Sequence, residues 1–596
     1  MVWVLFTTII FSLNVLCPMK SNPFLSLIGL GPRGLFALEQ LYISFSRSEL
    51  KVLPFILIFE SSDVLGTGTA WKVDQTPSNL SNITDRALKD FPARPAFDLQ
   101  GTTFPEFPCY FEWLETVMDH EPNYTKDAFQ PRRVMGTYLS QRANSFIERL
   151  ITLEVIELVR SKVDNIEKLN GKFQVFTEDD GLFESTNVLI AIGHVSTAMS
   201  DENQKFKKHA VDNDLYFSNN SYSNQAKEIY GAASTFAIKG LGLSMVDVMR
   251  MIMDHYDGDF VQQEDSIYLD YTLKGADVLM VPYSLDGLPI VPKPLGKNVD
   301  DHFSLDQKQK KDLFAKLHKQ LGNTDNLTIK ELLKPIATVI ADIYSSLEDR
   351  FDDTSIGKSG LVSLIVDWLV DPTIKHDHIL DANLPVVEYM KRTCEMAYGI
   401  HAFSLDYTIG QVWRQLQPDL YNIYSHKLPP KLMSELIQVD EGTKRYSFGP
   451  PVESILQIIA LYEAGIMNLD FVNDPDLKLI PNGFQLKNKN GSITCEALID
   501  AILSSPNLEE MASPLIRNLK ENDLVEQVED KLGIHVDINN THLVDGKPID
   551  GLHSIGRNIK GSEYGVDAIL ESFNPIKIEH FVTKIHSKLI ADSKVN

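Results

Sequence analysis

Phe24-Leu-Ser-Leu-Ile28 runs directly into Gly29-Leu30-Gly31-Pro32-Arg33-Gly34, and beyond that turn Leu35, Leu38 and Leu41 recur at helical spacing. The short apolar run reads as a buried parallel strand, and the recurrence after it as one face of a helix. A second apolar run, Val52 to Phe59, follows at the distance a βαβ unit requires and ends in Glu60. Gly29 makes the tight turn, Gly31 lets the backbone approach a pyrophosphate, and Gly34 lets helix and strand pack closely. The helix N-terminus then faces the phosphates, and Glu60 accepts hydrogen bonds from a ribose. Glycine turns occur in many α/β proteins, but here a strand, a helix and an acid about 30 residues past the first glycine all accompany it.

The same pattern restarts at Thr235, with Phe236-Ala-Ile-Lys-Gly240-Leu-Gly242-Leu-Ser244-Met-Val-Asp247 and a following apolar run from Ala276 to Val281. It predicts a second dinucleotide site on Gly240, Gly242 and Ser244. Met245 stands where a third glycine would be, and Tyr283 and Ser284 end the next strand where an arginine would meet a 2′-phosphate, so weak discrimination between NADH and NADPH is expected.

Between the two units, Gly66 to Trp71 and Asn79 to Asn82 form a loop of small and amide residues, placed where ligands bind beyond the carboxyl ends of parallel strands. Phe104 to Trp113 is crowded with aromatics and fits a packed loop or a ligand-site lining equally. Arg132 and Arg133 open a helix running towards Leu150; cations are disfavoured there by the dipole, which points to a phosphate or carboxylate partner. Leu153 to Val159, Phe173 to Thr177 and Asn187 to Ile192 read as strands. The last ends in Gly193-His194, where His194 either touches a ligand or merely finishes the strand.

A chain of 596 residues suggests three or four structural units at about 150 residues each. A net charge of −25 argues against nucleic acid or an anionic membrane as a main partner, since both would be repelled. The lysines from Lys308 to Lys319 read as the solvated face of a helix. Cys17, Cys109, Cys394 and Cys495 form no CxxC pair, which disfavours a disulfide reductase and suits a reducing cytoplasm. No metal is expected, His376 and His378 reading as a surface loop. Val2 to Cys17 is apolar but lacks a preceding cation and a cleavage site. Met19 is the preferred start, with an N-terminal membrane anchor as the alternative.

Gly29-x-Gly31-Pro32-Arg33-Gly34, Gly66-x-Gly68-x-Ala70, Asn82, Pro131-Arg132-Arg133-x-x-Gly136-x-Tyr138, Ala191-x-Gly193-His194, Gly240-x-Gly242-x-Ser244 and Phe448-Gly449-Pro450 together resemble the large bacterial FAD/NAD(P)-binding proteins. That group is similar to flavin-dependent N-monooxygenases of the aspartate- and ornithine-hydroxylating type. The resemblance implies FAD on Gly29, Gly31, Gly34 and Glu60, with Pro32 and Arg33 in the same turn and Arg132 and Arg133 nearby. It implies NADPH or NADH on Gly240, Gly242 and Ser244, and it puts Asn82 near flavin or substrate, with Asn82 and His194 as catalytic candidates.

The expected fold class is α/β, two Rossmann-like dinucleotide-binding domains, one for FAD and one for NAD(P), with a helical insertion. The expected division is an apolar leader 1–22, the first part of the FAD domain 23–230, the NAD(P) domain 231–300, a helical insertion 301–435, and a return to the FAD domain over 436–596. The expected activity is a cytoplasmic FAD- and NAD(P)H-dependent monooxygenase that takes molecular oxygen and a small amine or amino acid. Two alternatives stand beside it: a flavin-dependent reductase without oxygen insertion, and a non-catalytic FAD-binding redox sensor.

Overall fold

A computed structural model of the chain describes residues 23–48, 50, 52–118, 127–275, 277–324, 326–351 and 356–595. The leader expected over 1–22, with its proposed start and its alternative anchor, lies outside the described residues. Among those described, no helix is long and apolar enough to cross a membrane.

Leu25–Ile28 is a fully buried strand, and it pairs in parallel with Ile56–Phe59 on one side and with Asn187–Ile190 on the other. Such double-sided burial is why all three read as near-continuous apolar runs rather than alternating ones. Ile156–Val159 extends the sheet beyond Ile56–Phe59. At the opposite side Lys547–Ser554 joins Asn187–Ile190 in parallel, and Thr541–Val544 closes that edge antiparallel. Helix Pro32–Ser46 starts with proline in its first turn, where the missing N–H has no intrahelical partner to lose. It packs against the sheet, against helix Arg132–Thr152, and against the C-terminal helix Glu579–Val595. A three-stranded meander, Val163–Leu169, Lys172–Thr177 and Leu182–Ser185, covers the remaining face with helix Pro514–Glu521.

The second sheet is four parallel strands in the order Tyr216–Ser218, Ala497–Asp500, Thr235–Lys239 and Leu279–Tyr283. Helices Leu243–Met253 and Val452–Glu463 build its core together with the hairpin Gly258–Gln262 and Leu269–Leu273. This corrects the expected division. Strand 216–218 belongs to this sheet rather than to the first unit, and 452–500 supply its helix and central strand rather than returning to the first. Ala497-Leu-Ile-Asp500 inserts between strands that lie more than 250 positions upstream, and an apolar run of four residues carries no mark of which sheet it joins. The return to the first sheet begins only after residue 503.

Residues 307–447 form the helical block, with helices Gln307–Leu321, Ile329–Ser346, Lys358–Val370, Val386–Tyr398, Leu405–Tyr424 and Pro430–Ser447 around one core. Its last helix crosses the boundary expected at 435. The aromatic stretch 104–113 is a packed element: Phe104 stacks on Phe97 at 4.7 Å, and Tyr110 and Trp113 press edge-on against Tyr138. Burying these rings in the first core removes them from any ligand lining.

Candidate functional site

The first glycine turn is built as its spacing predicts. Gly29 has φ +92°, in the region that favours glycine, and a Cβ there would meet the Ala191 carbonyl oxygen at 2.7 Å. A Cβ on Gly34 would sit 2.2 Å from the Gly29 oxygen, so helix and strand touch backbone to backbone. Gly31 caps its helix with no side-chain hydrogen bond, and a Cβ there would touch only Gly68, another glycine, at 3.4 Å. Bare backbone on both sides and free N–H groups at the helix start fit a pyrophosphate. The Glu60 carboxylate accepts from the backbone N–H of Leu30 and of Ser62, each at 2.9 Å, and retains lone pairs for a ribose. Arg33 does not add to this cradle. Its guanidinium donates to Glu563 at 3.4 Å and to the Val566 carbonyl at 3.1 Å, tying the C-terminal segment over the turn.

Between the two sheets and the helical block lies a cavity of about 3010 Å³. Gly240, Gly242 and Ser244 line it, as do Asn82, Arg132 and His194, whereas the first glycine turn, Glu60 and Arg133 do not. A Cβ on Gly242 would meet nothing within 4 Å, and helix Leu243–Met253 begins there without a side-chain cap. Met245, in the third-glycine position, is buried in the second core.

Arg132 does find a carboxylate, but an internal one. It pairs with Asp247 of the second unit's helix, which also accepts from the Tyr222 hydroxyl at 2.6 Å. A second tie lies beside it: Thr76 and Ser78 donate to Asp254 at 2.5 and 2.7 Å. Arg133 is exposed on the outer face of the same helix. His194 lines the cavity with its side chain still exposed there, and desolvation by the surrounding walls, with the Arg557 charge, lowers its pKa to about 4, so the ring is neutral at physiological pH.

Residues 26–195 match an FAD-NAD(P)-binding family. This FAD-NAD(P)-binding stretch contains the first glycine turn, Glu60, the Gly66–Asn82 loop, Arg132 and His194, and ends at the third strand's exit. No curated protein matches the sequence. Among solved structures, an ornithine hydroxylase from Pseudomonas aeruginosa overlaps at TM-score 0.46 and 11% identity, over 96% of this chain and 100% of that one. OTEMO in complex with FAD and NADP overlaps at 0.44 and 9%, over 96% and 87%. The open form of cyclohexanone monooxygenase overlaps at 0.41 and 10%, over 97% and 89%. Overlaps this loose carry no argument about activity.

One charged corner of the cavity escaped the sequence reading. Arg86 donates to Asp127 and Asp300, both at 2.9 Å, and Arg414 pairs with Asp300 from the helical block. Lys293 stands beside them, half-buried, donating to the Asn82 carbonyl at 2.5 Å. Desolvation, with the Arg414 charge, lowers its pKa to about 7. These residues come from four stretches, the outermost 328 positions apart, and share no motif. The only local signal was Asn82 itself.

Among the described residues, no group of three or more His, Cys, Asp or Glu side chains could hold a metal ion.

Proposed function

We propose that the chain is an FAD-dependent, NAD(P)H-using oxidoreductase, and specifically a monooxygenase of a small amine or amino acid. The observation that carries the reading is the pair of uncapped helix starts, at Gly31 within the FAD-NAD(P)-binding stretch and at Gly242 on the wall of the cavity. FAD, when bound, would supply the redox chemistry between the nicotinamide and molecular oxygen. The chain's part is to bind and to enclose. Gly29, Gly31, Gly34 and Glu60 hold the first dinucleotide, and Gly240, Gly242 and Ser244 hold the second. Asn82 and neutral His194 face the reacting region as acceptor and donor groups, and the helical block closes one side of the cavity against water.

The test is the absorbance spectrum of the purified protein before and after NADPH or NADH, with oxygen consumption followed against a panel of amines and amino acids. The expected result is a flavin spectrum that bleaches with reduced nucleotide, and oxygen uptake matched by hydroxylated product. Colourless protein, or flavin that neither nucleotide bleaches, overturns the reading. Bleaching with no oxygenated product leaves the reductase instead.

A further inference from the structure

Lys293 is a cation without a counter-ion. Arg86 and Arg414 are each paired with Asp127 or Asp300, yet among the described residues no carboxylate lies within ion-pair distance of the Lys293 amine. Its one hydrogen bond, to the Asn82 carbonyl, leaves two of its three donors free towards the cavity.

The backbone that carries this side chain is held from several directions. The Tyr407 hydroxyl donates to the Pro292 carbonyl at 3.2 Å, and the Leu295 N–H donates to the Ala397 carbonyl at 2.8 Å. Gly449 of the Phe448-Gly449-Pro450 motif lies so close that a Cβ there would meet the Val291 oxygen at 2.0 Å. A rigid scaffold that aims an unpaired amine into a ligand cavity is what a binding site needs, and it is a poor solution for a packing role.

Resting on the function proposed above, we infer that Lys293 anchors the carboxylate of the small-molecule substrate, in the corner between the Asn82–Arg86 turn and helix Leu405–Tyr424. The neighbouring charges make the corner selective. Arg86 and Arg414 favour an anion, while Asp127 and Asp300 neutralise them, so that one carboxylate at the Lys293 amine completes the balance of the corner. The lowered pKa then has a use: the empty site holds a largely neutral amine above pH 7, and a carboxylate recruits the proton as it binds. Affinity should therefore fall about tenfold per pH unit above 7, with proton uptake rising from near zero at pH 6 towards one per ligand at pH 8.

The measurement is competitive trace acetylation of wild-type protein across pH, with the Lys293 peptide quantified by mass spectrometry, in the presence of succinate or of neutral succinamide. Succinate is expected to raise the titration midpoint of Lys293 by about two units or more, and succinamide to leave it unchanged. A midpoint unmoved by succinate overturns the anchor. So does one that moves only when FAD is added or stripped, since the amine would then answer to the cofactor. In Lys293→Met, the succinate-dependent heat in titration calorimetry should vanish while flavin content stays at the wild-type level; a retained heat also overturns the proposal. Because labelling reads the amine directly, a colourless protein would sink the proposed function without silencing this test.

Discussion

The two glycine turns share a pattern and differ in what surrounds them. At Gly29–Gly34 the two outer glycines are closed in, Ala191 lying behind Gly29 and the Gly29 oxygen under Gly34, and Arg33 is bound to the C-terminal segment, so that only Gly31 keeps an open face, towards Gly68. At Gly240–Ser244 the wall is open, with the nearest neighbour of a Gly240 Cβ at 3.4 Å and none within 4 Å of one on Gly242. The contrast extends to the helices that follow. Glu39 of the first is sealed against Arg142 at 2.8 and 2.9 Å with neither side chain more than 1% exposed, whereas Asp247 of the second meets an arginine that is 19% exposed. The first turn is part of a core, and the second is a surface of the cavity.

The sharpest way to break this comparison is to remove the two carboxylates. Glu39→Ala strands Arg142, and with it Arg94 at 3.8 Å, as buried cations, and should cost about 3–5 kcal/mol in denaturant unfolding. Asp247→Ala should cost about 1–2 kcal/mol, because Arg132 can reach the water of the cavity. Equal losses would show that the two helices are equally embedded.

Acid should act on the edge of the first sheet. His542, in its antiparallel edge, is buried between the Leu524 carbonyl and the Ser554 hydroxyl, and burial lowers its pKa to about 4. The native state therefore binds fewer protons than the unfolded chain between about pH 6.5 and 4, so stability falls as pH drops through that window and levels off below it. The loss from this group is on the order of 3 kcal/mol. Unfolding at several pH values, in wild type and His542→Gln, measures it; an unchanged pH slope in the variant would remove His542 as the source.

Substitutions at the glycines separate the turns themselves. Gly34→Ala must displace backbone and should cost about 2–3 kcal/mol together with flavin retention. Gly242→Trp, at φ −94° and facing open space, should change stability by less than about 0.5 kcal/mol yet slow flavin reduction by NADPH or NADH at least about tenfold. Unchanged reduction rates would mean that hydride enters elsewhere.

What the sequence made legible was local. The tight turn at Gly29 and the close packing at Gly34 were readable because both are decided within six residues, and the place of Glu60 just after its strand because a βαβ unit fixes that distance. The partners of Arg33 and Arg132 were not legible. An arginine in a turn announces a need for an anion but not whether Glu563 or Asp247, brought in by folding, already meets it. The aromatic stretch failed in the same way, since composition says that rings will be buried but not against which wall. Lys293 gave no signal, because its meaning depends on Arg86, Asp127, Asp300 and Arg414, which only the assembled cavity places around it.

Helix Arg132–Thr152 gains a mechanical meaning from its two arginines. Its first residue grips the helix of the second unit through Asp247, and Arg142, ten positions on, grips the helix of the first through Glu39. One rod thus joins the two dinucleotide helices, with a welded joint at one end and a wet joint at the other. Any widening of the cavity has to be taken up at the Arg132 end, beside Ser78 and Asp254, while the Arg142 end stays fixed in the core.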